Sequence, residues 1–143
     1  MVPAHQPEDA RHVQTSGGDT VQQWACERAD ELPGTGLEHP FGPAWDVFKV
    51  CGKVFMLLTE LGGEPLLTLK ASPQDARALR EQYAAVTPGY HMNKKHWITL
   101  RSSAELDREL VQELVTESYL LVLEALPRHR RPVDPATFGV TPS

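Results

Sequence analysis

The chain reads VFKVCGKVFMLL from Val47 to Leu58, and this stretch predicts a β-hairpin on which the other elements can be placed. Two runs of β-branched and aromatic residues flank the turn Cys51-Gly52. Glycine suits the second turn position because that position needs a positive φ. A two-residue loop predicts four cross-strand pairs, which are Val50 with Lys53, Lys49 with Val54, Phe48 with Phe55, and Val47 with Met56. One face of the hairpin would then carry Phe48, Phe55 and Leu57, and the other Val47, Val54 and Met56.

Start and stop signals predict three helices around this hairpin. The first begins at the capping box of Thr20 and Gln23 and ends at Pro33-Gly34. The second begins at Ser72, a serine N-cap that precedes a proline at the first helical position. The third begins at the capping box of Ser102 and Glu105 and ends before Pro127. Its apolar stripe predicts that three leucines are buried, Leu110, Leu114 and Leu121.

Strand composition recurs at residues 65–70 and 97–100, on either side of the second helix. The element order is then α-β-β-β-α-β-(β)-α, which predicts an α+β fold with a small antiparallel sheet and helices packed on it. Residues 19–127 would form a single domain. A disordered leader is expected at residues 1–18, and a tail that contains prolines and arginines at residues 128–143.

Length and composition exclude several classes of protein. A chain of 143 residues with 41% apolar residues is sufficient for one hydrophobic core. No apolar run approaches the roughly 20 residues that span a bilayer, and the polar N-terminus does not resemble a signal peptide. We therefore expect no membrane partner. The two cysteines, Cys26 and Cys51, are too few for a disulfide framework and favour a cytoplasmic protein with reduced thiols.

The distribution of charge matters more than its sum. The net charge is −5, which argues against nucleic acid as a partner. Residues 45–100, however, carry seven lysines and arginines against five acids, a local balance of +2. Because binding depends on the field of a patch, a basic face on this acidic chain remains compatible with the sequence.

The strongest reversal of charge lies in residues 88–97, PGYHMNKKHW, which we call the basic segment. Lysine ammonium groups neutralise phosphates, an asparagine can hydrogen-bond a base edge, and aromatic rings can stack on bases. The alternative is a polar loop whose lysines keep an edge strand soluble. Tyr90 and Trp97 are interpreted as anchors of the core rather than as stacking platforms.

No catalytic or metal site is predicted. The basic segment contains no nucleophile–base–acid set and no glycine-rich phosphate loop. His91 and His96 are five residues apart, which fits neither a helical pair nor one face of a strand. Cys51 has neighbouring lysines but no general base. We therefore expect no enzymatic activity, no cofactor and no metal.

Several stretches of this chain resemble the MmcQ/YjbR family, in order and at that family's usual spacing over about residues 20–127. They are Pro40-Phe41-Gly42-Pro43, Val47-Phe48-Lys49-Val50, Gly52-Lys53-Val54-Phe55, Leu67-Thr68-Leu69-Lys70, Ser118-Tyr119 and the whole basic segment. The resemblance implies a compact α+β domain with a double-wing DNA-binding motif, without known catalytic activity or cofactor. It implies a nucleic-acid-binding surface made of Lys49, Lys53, Tyr90, His91, Asn93, Lys94, Lys95, His96 and Trp97.

Two hypotheses of different class follow. The first is a small cytoplasmic DNA-binding or regulatory protein that uses the hairpin and the basic segment. The second is a non-enzymatic interaction module, in which the same surface binds a protein or an anionic small ligand. The sequence does not determine the oligomeric state, although a monomer is slightly favoured.

Overall fold

The structure is a computed structural model that describes residues 20–89 and 92–138. Within these ranges three α-helices are present, α1 (Val21–Glu31), α2 (Pro73–Gln82) and α3 (Arg108–Glu124). The six strands are β1 (Thr35–Glu38), β2 (Asp46–Val50), β3 (Lys53–Leu61), β4 (Glu64–Lys70), β5 (Val86–Pro88) and β6 (Trp97–Arg101). They form one antiparallel sheet in the order β1-β2-β3-β4-β6-β5. The predicted α+β fold is confirmed.

The sheet contains a strand that was not predicted. Residues 35–38 form β1, which pairs with β2 along the edge of the sheet. Three of its four residues are exposed, and it includes a glycine, so its composition does not show the apolar alternation of a half-buried strand. The strand exists because β2 offers an open edge, which is a property of the assembled sheet.

The hairpin prediction is correct at the turn and wrong further along. Cys51 and Gly52 both have positive φ, 51° and 79°, and Val50 pairs with Lys53 and Lys49 with Val54 as expected. Phe48, however, pairs with Met56 rather than with Phe55, because a β-bulge interrupts the register there. Phe55 and Met56 consequently both join the buried core.

The bulge is held by a serine of α3. The hydroxyl of Ser118 donates a hydrogen bond to the carbonyl of Phe55 (2.6 Å) and accepts one from the amide of Lys70 (2.8 Å). Phe55 and Lys70 are the residues that would continue the β3–β4 ladder beyond the pair Met56 and Leu69. Ser118 thus bridges two strands where their own backbone groups are not joined, and it is fully buried.

The helices lie on one face of the sheet. α1 and α3 pack against each other and against β4, and α2 lies beside β5. The third predicted helix starts later than expected, because Asp107 caps it by accepting from the amide of Leu110 (2.9 Å). Glu105, which was predicted to complete a capping box with Ser102, instead accepts from the amide of Ala85 (3.2 Å).

The buried stripe of α3 is also displaced from the predicted one. Leu110, Leu114 and Leu121 are only half-buried, and Leu110 and Leu114 pack at the rim of the core. The residues of α3 that point into the core are Val111, Val115, Ser118, Tyr119, Val122 and Leu123. Each of the three predicted leucines is directly followed by a valine that is buried instead, so the buried face is rotated by about one residue from the predicted one.

The segment that was interpreted as a tail contacts the domain over residues 128–138. A 3₁₀ turn at Arg128–Arg130 follows α3, and the side chain of Arg131 donates to the carbonyls of Leu126 (2.9 Å) and Glu124 (3.1 Å). The ring of Phe138 lies 6.0 Å from that of Tyr119.

The predicted leader lies outside the described residues. No described helix is long and apolar enough to cross a membrane.

A substitution in the hairpin turn tests this part of the fold. Replacing Gly52 with valine is expected to lower the free energy of unfolding by about 1 kcal/mol or more, because a β-branched residue is strained at positive φ. The position has open space around it, so the effect would come from the backbone and not from a clash. Thermal denaturation measures it, and an unchanged melting temperature would contradict the assigned turn.

Candidate anion-binding site

An open cavity of about 590 Å³ lies between α2 and the basic segment. We call it the basic pocket. It is lined by Pro73, Arg77, Arg80, Pro88, Lys94, Lys95 and His96. Two arginines, two lysines and a histidine therefore surround one space, and no carboxylate is among the lining residues.

Helix α2 supplies one wall of the basic pocket. Its start is set by the hydroxyl of Ser72, which accepts from the amide of Asp75 (3.2 Å). Counted from this start, Pro73, Arg77 and Arg80 are spaced by four and three residues, which places them on one face of the helix. Arg77 is exposed, and Arg80 is half-buried.

The second wall is the loop that carries Lys94, Lys95 and His96. It is held at one end by a hydrogen bond from the amide of Gly89 to the carbonyl of Trp97 (2.9 Å). At the other end, the amide of Ala71 donates to the carbonyl of His96 (2.9 Å). These bonds place the side chains of Lys94, Lys95 and His96 at a defined position, where all three are exposed.

Asn93 has a structural role in this loop. Its side-chain oxygen accepts a hydrogen bond from the amide of Lys95 (2.8 Å), and its carbonyl accepts one from the amide of His96 (3.3 Å). Such a side-chain turn fixes the local backbone. Asn93 therefore orients the two lysines, whereas the sequence had suggested that it could contact a base edge.

The cations of the basic pocket are not neutralised within the described part of the chain. There, the ion pairs lie elsewhere, for example between Lys49 and Glu38 and between Arg101 and Glu64. The Nη1 atom of Arg80 is buried, and no hydrogen-bond acceptor for it is found among the described residues. The cationic side chains that line the pocket thus have no carboxylate paired with them among the described residues, which favours an anion as ligand.

The structure brings together only part of the predicted surface. Lys94, Lys95 and His96 line the basic pocket, and Asn93 supports them. Trp97 is buried with 9% of its surface exposed, as expected for a core anchor. Tyr90 and His91 lie outside the described residues.

The two hairpin lysines do not line the basic pocket. Lys49 is on β2, and it forms an ion pair with Glu38 (3.0 Å). Lys53 is exposed at the start of β3. Because β3 and β4 separate β2 from β6, the two outer strands are roughly 14 Å apart at the usual strand spacing. The hairpin and the basic segment are therefore distinct positive regions.

Arg77 and Arg80 were missed from the sequence. Their spacing of three residues on a helix with a clear start was a usable signal. By itself, however, this spacing fits an exposed, solvated helix face equally well. Nothing in the sequence indicates that this face of α2 meets the basic segment, which follows only after β5.

A second cavity, of about 210 Å³, lies on the other side of α2 and carries the opposite charge. It is lined by Lys70, Ala71, Asp75, Ala78, Leu79, Ile98, Glu113, Leu114 and Glu117. Partial burial raises the pKa of Glu117, and the nearby carboxylates of Asp75 and Glu113 raise this pKa further. At 3.6 residues per turn, α2 directs Arg77 and Arg80 away from the face that bears Asp75, so the helix separates the two cavities.

The histidine, cysteine and carboxylate side chains of the described ranges form no second candidate site. Within residues 20–89 and 92–138, no three His, Cys, Asp or Glu side chains are placed to hold a metal ion. The imidazole of His39 contacts the carboxylate of Asp46 (2.9 Å). The thiol of Cys51 donates to the backbone carbonyl of Arg130 (3.2 Å), a group that does not act as a general base.

Comparisons with known proteins place this chain in a family. A sequence model of the YjbR family matches residues 30–121. The chain belongs to the YjbR family. Its relatives include the uncharacterized protein YbdF of Escherichia coli O157:H7, 43% identical over 107 residues, which are 75% of this chain and 88% of YbdF. The uncharacterized protein YjbR of Escherichia coli K12 is 35% identical over 98 residues, or 67% of this chain and 83% of that protein.

Solved structures show the same architecture. The crystal structure of Deinococcus radiodurans protein DR2400 is similar to this chain with a TM-score of 0.70 and 34% sequence identity, covering 78% of this chain and 85% of that one. A crystal structure of a Pseudomonas syringae protein is similar with a TM-score of 0.60 and 28% identity, covering 70% and 96%.

Proposed function

We propose that this protein is a cytoplasmic DNA-binding protein without catalytic activity, which holds phosphate groups in the basic pocket. The observation that supports this proposal is the convergence of Arg77, Arg80, Lys94 and Lys95 on one cavity that no carboxylate lines. The cytoplasmic location is supported by the composition, and Cys26 and Cys51 are not joined in a disulfide.

The chemistry of the pocket suits phosphate oxygens. A guanidinium presents several donors in a planar fork, which matches two oxygens of one phosphate, and an ammonium neutralises a phosphate as a compact charge. Binding of this kind releases condensed counterions from DNA and is therefore weakened by salt. Because these groups contact the backbone and not the base edges, we expect little dependence on base sequence.

The alternative, an interaction module for a protein or a small anion, would use the same positive surface. It differs in its expected response to DNA. A protein that only recognises another protein has no reason to bind mixed-sequence DNA with a salt dependence that becomes weaker when the pocket lysines are removed. DNA titrations therefore separate the two functions.

The test is a fluorescence anisotropy titration of mixed-sequence DNA at several salt concentrations. The double variant Lys94→Ala, Lys95→Ala is expected to weaken binding on every sequence. It should reduce the slope of log affinity against log salt by about two, at roughly 0.9 per phosphate contact in duplex DNA. Both lysines are exposed, so the fold should be retained.

A matched control removes two other lysines. The double variant Lys49→Ala, Lys53→Ala changes the net charge by the same amount, at positions that do not line the basic pocket. It should leave most of the salt slope in place. An equal loss for both double variants would mean that only total charge matters, and wild-type protein that does not bind DNA even at low salt would overturn the proposed function.

A further inference from the structure

We propose that the basic pocket is built for a phosphomonoester, the doubly charged phosphate found at the end of a nucleic-acid strand or on a free nucleotide. For the strand end, this inference rests on the proposed function and makes it more specific. It replaces a general affinity for the DNA backbone with recognition of one terminal group.

The concentration of positive charge supports a dianion. Arg77, Arg80, Lys94 and Lys95 surround one cavity of about 590 Å³, with His96 beside them. A phosphodiester within a strand carries one negative charge, whereas a phosphomonoester carries about −1.5 to −2 at neutral pH and has three terminal oxygens. The four permanent positive charges in one cavity exceed the single negative charge of a phosphodiester. The volume is within the usual range of roughly 300–1,000 Å³ for small-ligand sites.

Arg80, one of the residues that line the pocket, also has a donor that is left without an acceptor. Among the described residues, none accepts a hydrogen bond from the buried Nη1 of Arg80. An unsatisfied buried donor is costly, and a charged acceptor compensates it best. A terminal phosphate offers three oxygens to the guanidinium groups and ammonium groups around it, whereas a phosphate inside a strand has only two that are free.

The border of negative charge beside the pocket disfavours a strand that continues past it. On the opposite side of α2, Asp75, Glu113 and Glu117 line the smaller cavity. A duplex laid across α2 would bring its phosphates close to these carboxylates, and like charges at short distance repel. A strand that ends in the basic pocket, by contrast, places its terminal phosphate among the cations without crossing to the acidic side.

The first experiment compares two single strands of the same sequence in anisotropy titrations. One strand carries a 5′-phosphate and the other a 5′-hydroxyl, and both carry the fluorescent label at the 3′ end. We expect the phosphorylated strand to bind about tenfold more tightly, the scale of one additional charge-assisted interaction. A 5′-hydroxyl strand that is longer by two nucleotides carries nearly the same total charge as the phosphorylated strand. It should not reproduce the gain.

Competition distinguishes a strand end from a free nucleotide. Adenosine 5′-monophosphate should displace the phosphorylated strand, whereas adenosine should not. If the nucleotide binds as tightly as the strand, the ligand is the nucleotide itself. If it binds more weakly, the strand end is the ligand and the following phosphates contribute.

Variants locate the effect. Arg80→Gln should reduce the ratio of the affinities for the 5′-phosphate and 5′-hydroxyl strands to near one. The control is Arg101→Gln, at an exposed position on β6 near Glu64, which should leave this ratio unchanged. Because Arg80 is half-buried, melting temperatures of both variants are compared with the wild type. The exposed pair Lys94→Ala, Lys95→Ala provides a second test if Arg80→Gln destabilises the fold.

The outcomes separate the two proposals. Equal affinity for both strands, lost in the Lys94→Ala, Lys95→Ala variant, would overturn the phosphomonoester inference and leave DNA binding in place. Binding of the nucleotide without binding of either strand would support the phosphomonoester site and overturn the DNA function. Absence of binding to the strands and to the nucleotide would overturn both.

Discussion

Replacing Ser118 with alanine is expected to lower the free energy of unfolding by about 2–4 kcal/mol, at roughly 1–3 for a buried polar group left without a partner and at the lower end of that range for the part-buried one. Two groups lose their partner together in this variant. The carbonyl of Phe55 loses a donor at 2.6 Å, and the amide of Lys70 loses an acceptor at 2.8 Å. Both groups lie just beyond the last pair of the β3–β4 ladder, Met56 and Leu69, where the two strands are no longer paired with each other.

Chemical denaturation measures this effect. The matched control is Ser102→Ala, the same change at an exposed position outside the helices, which should alter the free energy of unfolding by less than about 0.5 kcal/mol. A loss below about 1 kcal/mol for Ser118→Ala would show that water or a rearranged backbone satisfies both groups. In that case the hydroxyl is not what maintains the bulge.

Replacing Gly89 with alanine is expected to destabilise the protein by about 2–3 kcal/mol, the upper part of the usual range for overpacking. A Cβ at this position would lie 2.5 Å from the Cβ of Trp97 and 3.0 Å from its carbonyl carbon and oxygen. Two of these atoms belong to the backbone of β6, so a rotamer change cannot relieve the contact. The chain must move instead, and the hydrogen bond from Gly89 to Trp97 would be strained.

This variant should also affect binding, because Gly89 fixes one end of the loop that carries the pocket lysines. We expect a lower melting temperature together with weaker DNA affinity. The matched control is Gly36→Ala on β1, where an added Cβ meets no atom within 4 Å. It should be neutral in both measurements. If the melting temperature of Gly89→Ala equals that of the wild type, the close approach of the loop to β6 is wrong.

Several features that depend on neighbouring residues were predicted correctly from the sequence, although the predicted capping box at the start of α3 was not. The hydroxyl of Thr20 accepts from the amide of Gln23 (3.0 Å), and that of Ser72 accepts from the amide of Asp75 (3.2 Å). The turn at Cys51 and Gly52 has the expected positive φ values. Each of these features involves backbone groups within three residues of the side chain, so a short sequence pattern contains all the physics required.

The basic segment was likewise apparent as a local reversal of charge, and together with the hairpin it predicted the family that the comparisons confirm. The order of helices and strands followed from periodicity and stop signals, apart from β1 and the short β5. Such patterns predict the secondary structure of one chain segment at a time. They therefore established the α+β class of the fold and one wall of the candidate site.

The bulge, the start of α3 and the second wall of the basic pocket depend on residues that are far apart in the chain. Ser118 reaches Phe55 across 63 positions, and Glu105 turns to Ala85 across 20. Arg77 and Arg80 line the pocket only because α2 packs beside β5, with one face toward the loop of Lys94. The faces that two elements present to each other are set by packing of the whole core, and periodicity within either element alone does not contain that information.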